Sequence, residues 1–302
     1  MDSNFKTPIL FIIFNRLDTT IRVFNEIKKI KPSKLYIVSD GPRLDKIGEK
    51  EKCGETRKII DLIDWDCQVF KNYSDINLGC KKRVSSGIDW FFKNEEQGII
   101  LEDDCLPNNS FFRFCEEMLE KYKEDERIGM ISGNNFQFGK IKNEHDYYFS
   151  KYSHIWGWAT WRRAWQKYDV NLANWPEIKE NDRLKSVFNN KKDIYYWSSI
   201  FNDVYNGKID TWDYQWSYTC FMSNYLSVMP AKNLISNIGF GPTGSTHTKR
   251  VNKFSNMETS ELTFPLKEPK DVIVSIESDK IVRKNNYPFW RYFIGKFVKK
   301  YI

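Results

Sequence analysis

Residues 8–15 read Pro-Ile-Leu-Phe-Ile-Ile-Phe-Asn, an unbroken apolar run of strand length ending on a polar residue. A run of this kind is buried on both faces, the mark of an interior parallel strand rather than of a half-solvated one. Outward from it the period changes. Ile21, Phe24, Ile27 and Lys28 follow at helical spacing, with Asp18 or Thr19 placed to cap the first turn. Lys34–Ser39 (KLYIVS) is a second apolar run, stopped by the turn signal Asp40-Gly41-Pro42. Helical Lys58–Ile63, a short strand Gln68–Phe70 and a helix over Lys81–Lys93, with Val84, Ile88 and Phe91 on one face, come next. Strand Gly98–Leu101, helix Phe111–Tyr122 and strand Ile128–Ser132 continue the alternation. Strands and helices alternating at this spacing predict an α/β fold: a doubly wound, mostly parallel sheet with helices on both faces.

Beyond about residue 145 the alternation stops. Trp156, Trp158, Trp161 and Trp165 fall close together, and helices are expected near 161–168 and 191–205. The second half reads as a Trp-rich extension packed on the same sheet. The expected organisation is one body over 1–279, with halves of about 1–145 and 146–279, and a tail over 280–302.

The chain has 302 residues, 29% charged and 41% hydrophobic, which excludes a disordered chain. No run approaches the ~20 apolar residues of a membrane span. Met1–Lys6 is polar and Pro8–Phe14 is too short for a signal peptide, so a cytoplasmic protein is expected. The six cysteines show no CxxC pair and read as free thiols. The net charge is +7. Lys280, Arg283, Lys284, Arg291, Lys296, Lys299 and Lys300 account for all of it, with no acid among residues 280–302. The body is formally neutral, which argues against a nucleic-acid partner. Phe289, Trp290, Phe293, Ile294, Phe297, Val298 and Tyr301 lie at helical spacing after Pro288. A basic amphipathic helix with aromatics on its apolar face suits an anionic membrane surface, so peripheral attachment to the inner face of the membrane is expected. The competing reading packs the same stripe on the body.

Five segments have residue types that could carry chemistry. Glu102-Asp103-Asp104 follows an apolar strand directly. Ligands of open α/β sheets bind beyond the carboxyl ends of strands, and clustered carboxylates there suit Mg²⁺ or Mn²⁺; a solvated acidic turn is the alternative. Asp40, at the end of the second strand, could accept a hydrogen bond from a base or ribose, or simply form the turn. Arg16 could fork onto a phosphate or stand in solvent. In Thr211-Trp212-Asp213-Tyr214-Gln215-Trp216, a carboxylate between bulky aromatics suits a general base and the Trp rings offer faces to a sugar. The alternative makes Asp213 an N-cap and the Trp residues core. Finally, residues 238–248 (IGFGPTGSTHT) read as a mobile Gly/Ser/Thr loop able to close over phosphates, with His247 a possible metal or phosphate contact.

Taken in order, these pieces resemble the GT-A fold glycosyltransferases, more narrowly the N-acetylglucosaminyltransferase I family and bacterial family-2-like glycosyltransferases. The resemblance runs from Pro8 to Ser245. It rests on Pro8–Arg16, Leu35–Asp40 (LYIVSD), Gly98–Asp104 (GIILEDD) with Phe111-Phe112, Gly157-Trp158 with Trp161–Trp165, Trp212-Asp213-x-x-Trp216, and the loop over 239–247. A His on the family's third helix is replaced here by Lys81-Lys82-Arg83, and the N-terminal anchor of the family's Golgi members is not expected of this chain.

The resemblance implies an inverting, metal-dependent hexosyl- or N-acetylhexosaminyltransferase. The donor is a nucleotide-diphospho-sugar, UDP favoured; the acceptor is a glycan or lipid-linked acceptor, in bacterial surface polysaccharide synthesis. Asp104 would hold Mn²⁺ or Mg²⁺, with His247 as a further ligand. Arg16, Asp40, Lys82, Glu102, Asp103 and Ser245 would bind nucleotide and donor. Asp213 would be the catalytic base, and Trp158, Trp212 and Trp216 would stack on sugar. The second half becomes the acceptor side. Two rivals stand beside this reading: a nucleotidyltransferase making a nucleotide-sugar, and a non-catalytic carbohydrate-binding protein.

Overall fold

The computed structural model describes residues 5–241 and 250–287. In chain order the strands are β1 (Ile9–Ile13), β2 (Lys34–Ser39), β3 (Gln68–Tyr73), β4 (Gln97–Glu102), β5 (Cys105–Pro107), β6 (Ile128–Ser132), β7 (Tyr147–Ser150), β8 (Trp158–Trp161), β9 (Leu226–Pro230) and β10 (Ile235–Asn237). The helices are α1 (Leu17–Ile30), α2 (Glu49–Arg57), α3 (Gly79–Asn94), α4 (Asn109–Lys121), α5 (Arg162–Trp165), α6 (Trp175–Glu180), α7 (Lys191–Tyr205), α8 (Asp213–Met222) and α9 (Ile276–Asn286). An eight-stranded sheet runs in the order β3-β2-β1-β4-β8-β6-β9-β7, and β10 pairs with β5 in a separate ribbon.

β1 is buried at every position, as an unbroken apolar run requires. Its alternate residues serve different cores. Ile9, Phe11 and Ile13 pack with Val23, Phe24 and Ile27 of α1 and with Phe111, Phe112 and Met118 of α4. Leu10 and Ile12 face the other way, into a layer with Val84, Ile88 and Phe91 of α3 and with Trp165, Trp212 and Trp216. Helices therefore cover both faces, as expected of this α/β class. Each fully buried large apolar side chain contributes roughly 1.5–3 kcal/mol, which is why so short a strand can anchor the sheet.

The sheet is mixed with parallel pairings in the majority, and β6 pairs in parallel with β9. β3, β2, β1 and β4 are parallel neighbours. In the other half β8 runs antiparallel to β4 and β6, and β7 antiparallel to β9. β8 is only Trp-Ala-Thr-Trp, too short to register as a strand beside the helical spacing that follows it. The second half supplies β7, β8 and β9 to the same sheet. The expected boundary at 279/280 falls inside α9, where Val282 is fully buried and Arg283 pairs with Asp193. The apolar stripe after Pro288 lies outside the described residues. Among those described, no helix is long and apolar enough to cross a membrane.

One consequence of the topology positions the site. β1, β2 and β4 are parallel, and β6 runs with them because both β4 and β6 oppose β8. Their carboxyl ends therefore open on one edge, where β8 begins. The strand order reverses between β1 and β4, and crevices at such switch points bind ligands.

Candidate active site

The end of β4 delivers Glu102, Asp103 and Asp104 to this edge; the end of β1 delivers Arg16. Arg16 Nη1 donates to Asp104 Oδ2 at 2.9 Å, and its Nη2 donates to Asp103 Oδ1. Asp103 and Asp104 are buried, and Asp103 Oδ2 has no hydrogen-bond partner among the described residues. Burial opposes the guanidinium's charge, but the two carboxylates outweigh it and hold the Arg16 pKa above its usual value. Burial raises the pKa of Asp103 despite the help of Arg16. Glu102 is pushed up to about 8, by burial first and then by Asp104 and Asp103, with Asp213 adding to the repulsion. One arginine thus faces three clustered acids, so the crevice favours a further cation.

The β5–β10 ribbon folds the chain back over this cluster. Ile238 N donates to the Asp104 carbonyl at 2.8 Å. Gly239 follows, and a Cβ there would overlap Asp104 Oδ2 and stand 2.8 Å from Arg16 Nη1. Only a residue without a side chain lets the backbone lie so close. Ser245 and His247, further along this loop, lie outside the described residues.

Asp40 has a different part. Its Oδ1 accepts from Gly41 N and Leu78 N, both at 2.9 Å, and its Oδ2 from Gly79 N at 3.0 Å and Asn77 Nδ2 at 3.1 Å. A carboxylate offers about four lone-pair sites, and the protein fills them all. The expectation that Asp40 reads a base is corrected: it ties the start of α3 to the end of β2. Lys82 is exposed in the first turns of that helix. Cys80, beside it, was missed by sequence reasoning. Desolvation and the charges of Glu102, Asp213, Asp210 and Asp104 push its thiol pKa up.

Asp213 is the first residue of α8, and the helix shows no side-chain cap. Its Oδ1 instead accepts a hydrogen bond from the Thr211 hydroxyl. The N-cap reading therefore fails, and the carboxylate is held at the cleft within electrostatic reach of Glu102. The tryptophans around it behave as core. Trp158, Trp212 and Trp216 are 0, 2 and 0% exposed. Trp158 stacks on Trp212 at 5.8 Å, and Trp216 lies 5.5 Å from Trp158. The expectation that these rings stack on sugar is corrected: they fill the layer between the sheet and α8.

The aromatic at the cleft is Trp156. Gly157, at φ +66°, bends the chain between it and Trp158. Trp156 lines a cavity of about 210 Å³ that also touches Asn134, Phe136, His154, Asp213, Ser217 and Phe254. Sequence reasoning missed this cavity. A signal existed, because Asn134 stands two residues beyond β6, and the strand-end rule that singled out Glu102 applies to it equally.

Among the described residues no three His, Cys, Asp or Glu side chains gather as a metal site. Mg²⁺-type ions need only one or two carboxylates when phosphates and water supply the rest. Asp104, with the unpaired Asp103 Oδ2 and the desolvated Glu102 beside it, fits that donor set.

No protein-family model matches the chain, and no curated protein matches it in sequence. Among solved structures it is similar to UTP-bound UGPase from Acinetobacter baumannii, at 9% identity over 80% of this chain and 90% of that one, with a TM-score of 0.41. It is also similar to the glycosyltransferase GlyE of Streptococcus pneumoniae TIGR4, at 10% identity over 74% of this chain and 45% of that one, TM-score 0.34. HddC from Yersinia pseudotuberculosis is similar at 8% identity over 54% and 80% of the respective chains, TM-score 0.33. At identities and scores this low, none of these likenesses assigns a function.

Proposed function

We propose that the protein is an inverting glycosyltransferase moving a sugar from a nucleotide-diphospho-sugar, UDP-linked in the first instance, to a hydroxyl of a glycan or lipid-linked acceptor. The observation that carries this reading is the placement of Asp213. It does not cap its own helix, it lies within electrostatic reach of Glu102 at the end of β4, and it lines the cavity that also touches Asn134 and His154. A base so placed stands between a donor at the switch point and an acceptor in the cavity.

In this reading Arg16 contacts the nucleotide phosphates, and Glu102 and Asp103 orient ribose and sugar hydroxyls. Asp104 would hold Mn²⁺ or Mg²⁺, which when bound offsets the negative charge of the departing nucleoside diphosphate. Asp213 takes the proton of the acceptor hydroxyl as its oxygen bonds to the anomeric carbon. The bond from that carbon to the diphosphate oxygen breaks on the opposite face, and its electron pair leaves with the nucleoside diphosphate. One in-line displacement inverts the anomeric centre. A nucleotidyltransferase reading is less well supported, because only Phe14, Asn15 and Arg16 separate β1 from α1, with no glycine to cradle a triphosphate.

The test is calorimetric titration of UDP with and without MnCl₂ into the wild type and Asp104→Asn, followed by a hydrolysis screen of UDP-, GDP- and dTDP-sugars. Metal-dependent UDP binding that disappears in Asp104→Asn is expected. Nucleotide binding that is absent, or indifferent to both metal and substitution, overturns the donor site.

A further inference from the structure

We infer that the cavity beside Asp213 is an acceptor subsite for one uncharged pyranose unit, recognised by Asn134 and His154. The inference deepens the glycosyltransferase reading and rests on it for the word acceptor.

Asn134 is 1% exposed, and neither its Nδ2 nor its Oδ1 has a hydrogen-bond partner among the described residues. Its neighbour Asn135 is different: its Nδ2 donates to the carbonyls of Pro230 at 2.9 Å and Ala231 at 2.8 Å. His154 is 4% exposed, and its Nε2 is equally without a partner there. Burial holds its pKa down to about 3, so the ring is a neutral imidazole. Each buried polar group left unmade costs about 1–3 kcal/mol. Both residues line the same cavity, and their three unpartnered atoms suit a ligand that both gives and accepts hydrogen bonds. Sugar hydroxyls do both: one can donate to a neutral imidazole nitrogen or an amide oxygen, and accept from an amide N–H.

The walls suit the apolar face of a sugar ring. Phe136 lies edge-on to His154 at 4.6 Å, to Trp156 at 5.5 Å and to Phe254 at 5.2 Å. On α8, Ser217 lies one turn beyond Asp213 on the same face, and both line the cavity. A ring seated at Asn134 and His154 therefore presents a hydroxyl to Asp213.

Charge decides the class. Among the described residues no lysine or arginine lines the cavity, and Asp213 is its one carboxylic acid. Lys253, at the rim, lies over the Phe254 ring at 5.0 Å and donates to Asn285 Oδ1 at 2.8 Å. A uronate or a phosphorylated sugar would bring a second anion beside Asp213, with no cation among the described lining residues to pair it, and an unpaired buried charge is strongly disfavoured.

The experiment is saturation-transfer NMR on the full chain with UDP and MnCl₂ present. The probes are methyl glycosides of glucose, galactose, rhamnose and N-acetylglucosamine, set against those of glucuronic and galacturonic acid. At least one neutral glycoside should bind and both uronides should not. That binding should weaken about tenfold or more in Asn134→Leu and in His154→Phe. UDP affinity, measured by titration of the same samples, should stay at the wild-type value. Uronide binding equal to neutral binding, no glycoside bound at all, or neutral binding unchanged in both variants would each overturn the inference. The wild-type comparison alone decides the matter if a variant fails to fold. Glycoside binding without UDP binding sinks the donor reading instead and leaves the neutral-sugar site standing.

Discussion

Arg16 Nη1 lies 2.9 Å from Asp104 Oδ2, across the switch point between β1 and β4, while its other terminal nitrogen donates to Asp103. Among the described residues the arginine is the cation that balances an acid cluster including Glu102 and extending towards Asp213. It occupies the side of Asp104 that faces β1 and is itself mostly buried, with its side chain 23% exposed. Structure and chemistry meet in this pair, because the same guanidinium that holds the carboxylates in place stands where a phosphate would be drawn.

Arg16→Ala should therefore cost stability as well as function. Breaking a buried ion pair leaves its carboxylates uncompensated, a loss of about 3 kcal/mol. Millimolar MnCl₂ should recover part of that loss by neutralising the same oxygens. Chemical denaturation with and without metal measures both, and a variant as stable as the wild type would mean that the pair contributes little.

The acid cluster also sets a pH dependence. Glu102 rises from 4.5 to about 8 in the folded protein, through burial first and its acidic neighbours next. The folded chain holds this proton more tightly than the unfolded one. Its stabilising contribution is thus full below about 4.5 and declines as pH rises towards about 8. Burial raises Asp103 in the same direction. Glu102→Gln should flatten the fall in stability between pH 5 and pH 8, by roughly the part due to that one group. Denaturation midpoints across that range test it, and an unchanged slope would show that Glu102 titrates normally.

Asp213→Asn separates catalysis from binding. If the carboxylate is the general base, transfer should slow by roughly 10²–10⁴ while UDP affinity holds. The Thr211 hydroxyl can still bond the amide oxygen, so the start of α8 should persist. Equal losses of rate and affinity would make Asp213 a structural residue.

How far the sequence could be read depended on the kind of signal each residue leaves. The unbroken apolar run in β1 and the acids after β4 were legible because a buried parallel strand and a polar strand end are local patterns. Trp158, Trp212 and Trp216 were misread because composition shows that a ring is present, not which way it points. Packing of α8 on the sheet decided that, and it is non-local. Asp40 was misread for a similar reason. Its partners Asn77, Leu78 and Gly79 lie at the start of α3, remote in sequence. The cavity was missed because its lining is drawn from five separate segments, although Asn134 followed a strand that had been identified correctly.

Gly239 offers the most local test of the site. Its backbone N–H donates to Asn237 Oδ1 at 3.0 Å, and the preceding Ile238 N–H holds the Asp104 carbonyl at 2.8 Å, so the β10 end has little freedom to retreat. A Cβ added here would overlap Asp104 Oδ2, lie 2.7 Å from Asp104 Cβ and stand 2.8 Å from Arg16 Nη1. In Gly239→Ala the yielding partner must be the carboxylate or the guanidinium, because both the ribbon and the β4 end are fixed by backbone hydrogen bonds. The core lies elsewhere, so stability should fall by less than in Arg16→Ala. Metal-dependent UDP binding should weaken about tenfold or more, since a displacement of roughly 1 Å at a positioned group is costly. Titration of UDP with MnCl₂, paired with a thermal midpoint, reads the two effects apart. Binding that survives Gly239→Ala intact would place the nucleotide away from the Arg16–Asp104 pair.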